Sequence, residues 1–180
     1  MTPQTAITMN VLALYAIAGV LAAAFAMQFA LLELPCPLCM LQRALFCALA
    51  AGPILNLIHG PRASHYALSI IAALIGAAVS VRQILLHILP GDPGYGSAVF
   101  GLHYYTWALL LFIAAIALCA LMLLFDRQFE AAPKPTRSPA GRFAILLVIA
   151  LVAANALSTL AMCGFNSCPD NPVRYELLQR

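Results

Sequence analysis

The sequence predicts an all-α integral membrane protein with five transmembrane helices, and three observations carry that prediction. Only 8% of the 180 residues are charged and 64% are hydrophobic, whereas a soluble domain carries roughly a quarter charged residues. Five apolar runs each approach the ~20 residues that a helix needs to cross a bilayer. They cover residues 11–32, 40–58, 66–89, 104–125 and 143–162. Inside lipid the backbone must satisfy its own hydrogen bonds, and runs of this length do so as helices. No linker is long enough to separate two folded units, so the chain reads as a single membrane domain, 1–180, ending in a polar tail, 163–180.

The first run is not flanked like a cleavable signal peptide, since no Lys or Arg precedes it. It carries Ala18, Ala22 and Ala26 at four-residue spacing, and the third run carries Ala72, Gly76 and Ser80. Small residues so spaced let membrane helices approach closely. Ordinary lipid-facing composition accounts equally well for the first set, and packing better for the second. Between the third and fourth runs, residues 90–97 read PGDPGYGS and form a loop. Tyr104, Tyr105 and Trp107 then enter the fourth run as an interfacial aromatic belt would. His59 and His65 flank the short turn between the second and third runs and read as solvent-facing.

The net charge of +3 comes without a basic stripe interleaved with aromatics, so nucleic acid is not an expected partner. The charges serve better to orient the chain. The segment 126–142 holds Arg127, Lys134, Arg137 and Arg142, and the inner turn adds Arg62. This basic excess points to the cytoplasmic side. Arg43, Arg82, Arg174 and Arg180 fall on the other side. Five spans then leave the N-terminus inside and the C-terminus outside. Independently, Cys36 and Cys39 fall at the outer mouth of the second run, and Cys163 and Cys168 just past the outer end of the fifth. Both pairs thus share one face, the side on which a bacterial inner membrane meets the oxidising periplasm and disulfides persist.

Residues 33–43 read ELPCPLCMLQR. Two cysteines separated by two residues can close a small disulfide, and a helix N-terminus favours the thiolate of one of them. The thiolate is the nucleophile of disulfide exchange, so this position makes a reactive pair. Arg43 lies one helical turn beyond Cys39 on the same face. There it can stabilise the thiolate and bind a polar head group, or snorkel to the interface as an anchor. The second pair, in CGFNSC from Cys163 to Cys168, closes a flexible ring that is either redox-active or a static staple constraining little chain. Cys47 and Cys119 lie within helices and read as small buried hydrophobes. No GxGxxG and no Cys-X-X-Cys-His is present.

The run from Glu33 to Arg43 resembles the quinone-side signature of the DsbB disulfide-forming proteins, in which a Cys-X-X-Cys opens the second span and is followed by Gln-Arg. The order of spans and the polar turn between the third and fourth agree, so the resemblance covers about the first 125 residues. It implies a four-helix bundle of the DsbB type, here with a fifth transmembrane helix added. It further implies a thiol:quinone oxidoreductase that takes electrons from a periplasmic thioredoxin-fold protein of the DsbA kind and passes them to ubiquinone or menaquinone in the membrane. By position, Cys39 would face the quinone, Arg43 would hold its head group, and Cys36 would exchange with the second pair. Arg82 and His87, near the outer end of the third run, would meet either a quinone carbonyl or a lipid head group.

One departure stands out. The family's usual shuttle pair lies in the outer loop between the third and fourth spans, yet residues 90–103 hold no cysteine. The expectation is therefore that Cys163 and Cys168, delivered by the fifth helix, replace it. Three other readings compete. One is a quinone reductase like vitamin K epoxide reductase, although there the redox pair sits on a late helix. Another is a transmembrane thiol conduit, which would need a cysteine pair reachable from inside. The last is a non-catalytic subunit whose four outer cysteines bind zinc.

Overall fold

The computed structural model describes residues 1–130 and 138–178. Lys134, Arg137 and Arg180, used above for orientation, lie outside the described residues. The fold is helical throughout its apolar runs: α1 (Pro3–Ala30), α2 (Pro37–Leu49), α3 (Ala51–His59), α4 (Ala63–Leu86), α5 (Tyr104–Leu123) and α6 (Pro139–Cys163). Helices α2 and α3 together make the second of five segments long and apolar enough to cross a membrane. The chain is a multi-pass membrane protein.

Three of the five spans begin with one local device. Thr2, Cys36 and Ser138 each cap a helix, their side chains accepting the backbone N–H of Thr5, Cys39 and Gly141. Each is followed by a proline at the first helical position, where a missing N–H costs nothing. This is why α1 and α6 start well before their apolar runs.

The break in the second span has a specific cause. Pro53 has no N–H to give the Leu49 carbonyl four residues back, and the helix interrupts at Ala50. The Oγ of Ser69 on α4 donates to that freed carbonyl at 2.9 Å, which repairs the loss. Gly52 lets the two helices meet there, because a Cβ would run into Ser69 Oγ and the His65 carbonyl.

The core is shared by α1, α2, α4, α5 and α6, with Leu14, Leu21, Phe46, Ala73, Phe112 and Val148 buried in one cluster. The Phe112 ring stacks on Phe46 with centroids 4.1 Å apart and lies where a side chain on Gly76 would be. The small face Ala72–Gly76–Ser80 is therefore a packing seam. On α1 only Ala18 is buried, and Ala22 and Ala26 are exposed, so that helix has no such seam.

At the end holding the 60–62 turn, a polar network ties α1, α3, α4 and the short 3-10 turn Asp126–Phe129 together. Asn56 Nδ2 donates to Asn10 Oδ1 at 2.9 Å, and Asn10 Nδ2 donates to the Tyr66 hydroxyl at 3.0 Å. That hydroxyl donates to Gln128 Oε1 at 2.9 Å. Asn56 Oδ1 also accepts from the Arg62 backbone N–H and lies 2.9 Å from His65 Nδ1. His65 is thus buried, correcting the solvent-facing expectation, because the amide of Asn56 gives its ring a partner; His59 is exposed as expected.

At the opposite end, a two-stranded antiparallel hairpin (β1, Ala98–Val99; β2, Leu102–His103) precedes α5. Its turn, Phe100-Gly101, has φ of 51° and 79°, the left-handed pair that a two-residue hairpin requires.

Candidate functional site

Helix α2 opens on the first cysteine pair. Cys36 is its N-cap, with Sγ accepting the Cys39 N–H at 3.1 Å, and Cys39 follows in the first turn. The two are joined as a disulfide with Cα atoms 5.0 Å apart. When this bond opens, the free N–H groups and dipole of the helix start favour a thiolate on Cys36. From α4 the buried Gln83 donates its amide to both sulfurs, at 3.2 Å to Cys36 and 3.4 Å to Cys39. Gln42 fixes that amide by donating to its Oε1 at 3.1 Å. Cys36 is buried, whereas half-buried Cys39 faces a cavity.

The cavity has a volume of about 420 Å³ and is walled by α1, α2, α5 and the loop carrying Tyr95 and Phe100. Its lining is almost wholly apolar, with Met27, Phe46, Trp107 and Leu111 among the walls. The polar exceptions beside Cys39 include Arg43, Glu33 and Tyr104. Arg43 is only 6% exposed. Its guanidinium lies over the Phe25 ring at 4.1 Å, and Nη1 donates to Gln28 Oε1 at 2.7 Å. No carboxylate pairs with it among the described residues. Its Nε and Nη2 have no partner, whereas the Tyr104 hydroxyl lies beside the Glu33 carboxylate and Ser97. Arg43 thus keeps two buried donors unpartnered, and it lines this cavity. An unpaired buried donor is costly, and a group bearing hydrogen-bond acceptors would remove that cost. A flat ring carrying two carbonyls fits this donor set and volume.

Glu33 is held by one oxygen, which accepts from the Ser97 N–H at 3.0 Å and from the Ser97 hydroxyl. Tyr95 donates to the Leu34 carbonyl at 2.6 Å; burial and the nearby Glu33 carboxylate push its phenol up. These bonds tie the outer loop to the turn that leads into Cys36.

The second pair, Cys163 at the end of α6 and Cys168 in the tail, is also a disulfide, with Cα atoms 4.5 Å apart. Met162 and Cys163 are buried against Met40, the residue after Cys39, with Leu34, Cys168 and Tyr175 packed around them. The second pair therefore packs beside the start of α2, against the residue that follows Cys39. No group of three or more His, Cys, Asp or Glu side chains is placed to hold a metal ion among the described residues. Cys47 and Cys119 are free and half-buried.

Arg82 and His87 are not brought to this cavity. Arg82 is exposed. His87 has Nδ1 3.0 Å from Asp92 Oδ1 and stacks on Tyr105 at 5.7 Å. The Gly94 N–H, and then His87, hold the Asp92 carboxyl below its usual range. The aromatic belt is also corrected: Tyr104 and Trp107 line the cavity and Tyr105 is buried. Tyr105 turns inward because His87 and His103 flank its ring, and Trp107 because its Nε1 donates to the Val99 carbonyl at 3.0 Å. Sequence reasoning did not single out Gln28, Gln83, Ser158 and Tyr175. A visible signal existed for the first two, since an amide inside an apolar run is costly unless it is used.

Comparison with known proteins bears on this geometry. A family model described as "Disulfide bond formation protein DsbB" matches residues 6–97. The chain is similar to Disulfide bond formation protein B of Xanthomonas axonopodis pv. citri (strain 306), 43% identical over 82 residues, which are 43% of this chain and 48% of that protein. It is similar as well to the protein of that name from Marinobacter nauticus (strain ATCC 700491 / DSM 11845 / VT8), 42% identical over 88 residues, 46% of this chain and 52% of that one. The matches thus span about half the length of these curated relatives. No solved structure matches the chain.

Proposed function

We propose, from the premise that this chain belongs to the DsbB family, as its match over residues 6–97 establishes, that it is a membrane thiol:quinone oxidoreductase driving disulfide formation. The observation that carries this reading is the cavity in which a half-buried disulfide sulfur, Cys39, shares an apolar wall with an unpaired arginine.

In this reading a periplasmic DsbA-like dithiol attacks the Cys163–Cys168 disulfide and leaves oxidised. The tail dithiol, held against Met40, then reduces Cys36–Cys39 and closes again. The α2 dithiol in turn closes to its disulfide, giving two electrons and two protons to the bound acceptor. A quinone, when bound, supplies the oxidising power and leaves as hydroquinone. Arg43, with the Tyr104 hydroxyl, would hold its oxygens. Arg43 would screen negative charge developing there, which is worth most in an apolar site. Gln83, donating to both sulfurs, stabilises whichever carries the thiolate. In this reading Cys36, buried at the helix start and absent from the cavity wall, exchanges with the tail pair. Arg82 and His87 take no part in this cavity.

The same reading sets the protein in the bacterial inner membrane, with its N-terminus cytoplasmic and both disulfides periplasmic. The test is quinone reduction by the purified protein in detergent, with a reduced DsbA-like thiol protein as donor. Wild type should turn over, and Cys36→Ala and Cys163→Ala should both stop. Loss in Cys36→Ala alone would keep the enzyme and reduce the tail pair to a structural staple. An inactive wild type with every quinone and donor would overturn the reading.

A further inference from the structure

The family match ends at residue 97 and leaves α6 and the tail without a role. We propose that they complete the quinone site, with Ser158 and Tyr175 acting as positioning residues for Arg43 through Gln28. This rests on the oxidoreductase reading above.

Gln28 lies on α1, 2% exposed. Its Nε2 donates to Ser158 Oγ at 2.9 Å and to the Tyr175 hydroxyl at 3.0 Å, and its Oε1 accepts from Arg43 Nη1 at 2.7 Å. A guanidinium can only donate, so the amide oxygen must face it. Arg43 selects that orientation, and the Ser158 and Tyr175 hydroxyls clamp the amide in it by accepting from its NH₂, with Ser158 Oγ also 3.4 Å from Oε1 as a donor. Without them the amide loses the bonds that hold its Oε1 against Nη1, and the Gln28–Arg43 pair is free to swing together. The fifth span and the tail therefore determine where the free N–H groups of Arg43 point in the cavity.

Tyr175 also packs on the cluster of Met40, Met162 and Cys163, so its place depends on the ring closed by Cys163 and Cys168. Opening that ring takes two electrons and two protons from the donor dithiol, which becomes a disulfide, and it loosens the hold on Tyr175. The redox state of the tail is thus coupled to the affinity of the cavity for quinone. Coupling is reciprocal: quinone in the cavity makes the tail disulfide harder to open by the same factor.

Trp107 is the chain's single tryptophan and lines the cavity, so quenching of its fluorescence by a short-chain ubiquinone analogue reads binding directly in the full-length protein. Tyr175→Phe keeps the ring and removes only the oxygen. It should raise the quinone Kd about fivefold, the scale of one hydrogen bond, and Ser158→Ala should do likewise. The loss should fall on KM for quinone rather than on kcat. The double variant Cys163→Ser, Cys168→Ser should raise Kd as well, and adding Tyr175→Phe to it should change Kd little further. Unchanged Kd in both Tyr175→Phe and Ser158→Ala, whatever their thermal stability, would overturn the positioning role. Full additivity with the cysteine variant would overturn the coupling. Absence of any quenching in wild type would instead overturn the quinone reading itself, and the proposal with it.

Discussion

The two ends of the bundle bury the same kinds of polar group and treat them in opposite ways. At the end with the 60–62 turn, Asn10, Asn56, His65, Tyr66 and Gln128 hand their hydrogen bonds to one another and to the backbone. At the disulfide end, Nε and Nη2 of Arg43 are buried without partners beside one cavity. A closed network holds helices together; an open one leaves donors free for a bound group. Burial alone would have ranked the two regions equally, and it is the state of the hydrogen bonds that separates structure from site.

The contrast can be broken from either side. The largest effect is expected from Arg43→Met, which removes the cavity's free donors but keeps a long apolar stem. Quinone affinity in the Trp107 titration should fall roughly a hundredfold, the scale of about 3 kcal/mol for a charged donor. Thermal stability should stay level or rise, since a buried unpaired charge is gone. Stability falling while quinone binding stays unchanged would make Arg43 a structural residue.

The reverse signature is expected from Asn56→Leu. It leaves the Asn10 carbonyl oxygen, the Arg62 N–H and the His65 ring without their partner, at a cost of about 2–4 kcal/mol read from thermal unfolding. The quinone Kd should not change. A shift in Kd would show that the two ends communicate through the helices.

The smallest effect concerns the outer loop. Asp92 is held below its usual range by the Gly94 N–H and by His87. A depressed carboxyl stabilises the folded form above the unfolded value of about 4, and that contribution disappears as pH falls through the lower folded-state value. The protection factor of the Gly94 amide, its exchange relative to the intrinsic rate at each pH, should therefore fall at acid pH, and in Asp92→Asn it should be low and flat across that range.

The sequence makes the helices legible because bilayer thickness and apolar run length are one measurement. It makes the cysteine end legible because Cys-X-X-Cys with Arg43 one turn on is a local pattern that a single helix carries. The cavity is a different matter. Gln28, Gln83, Ser158 and Tyr175 come from four separate segments, and only packing brings them to Arg43 and the sulfurs. Arg82 and His87 share the depth of Arg43 along the sequence but not its direction, because depth fixes only one of three coordinates. The aromatic residues entering α5 failed for a related reason. A belt and a cavity wall use the same residue types, and the hairpin at Phe100-Gly101 decides between them by bringing the Val99 carbonyl to Trp107.

The N-cap position of Cys36 also sets where two solvents meet. The second span, 23 residues from Pro37 to His59, rises to about 34 Å at 1.5 Å per residue, against a hydrocarbon core of about 30 Å. The first disulfide therefore lies within about one turn of the oil–water boundary. On the proposed reaction, a water-borne donor need not enter the oil and an oil-borne acceptor need not leave it. The single crossing between the two phases would then be made by electrons and protons, over the few residues from Cys36 to Arg43.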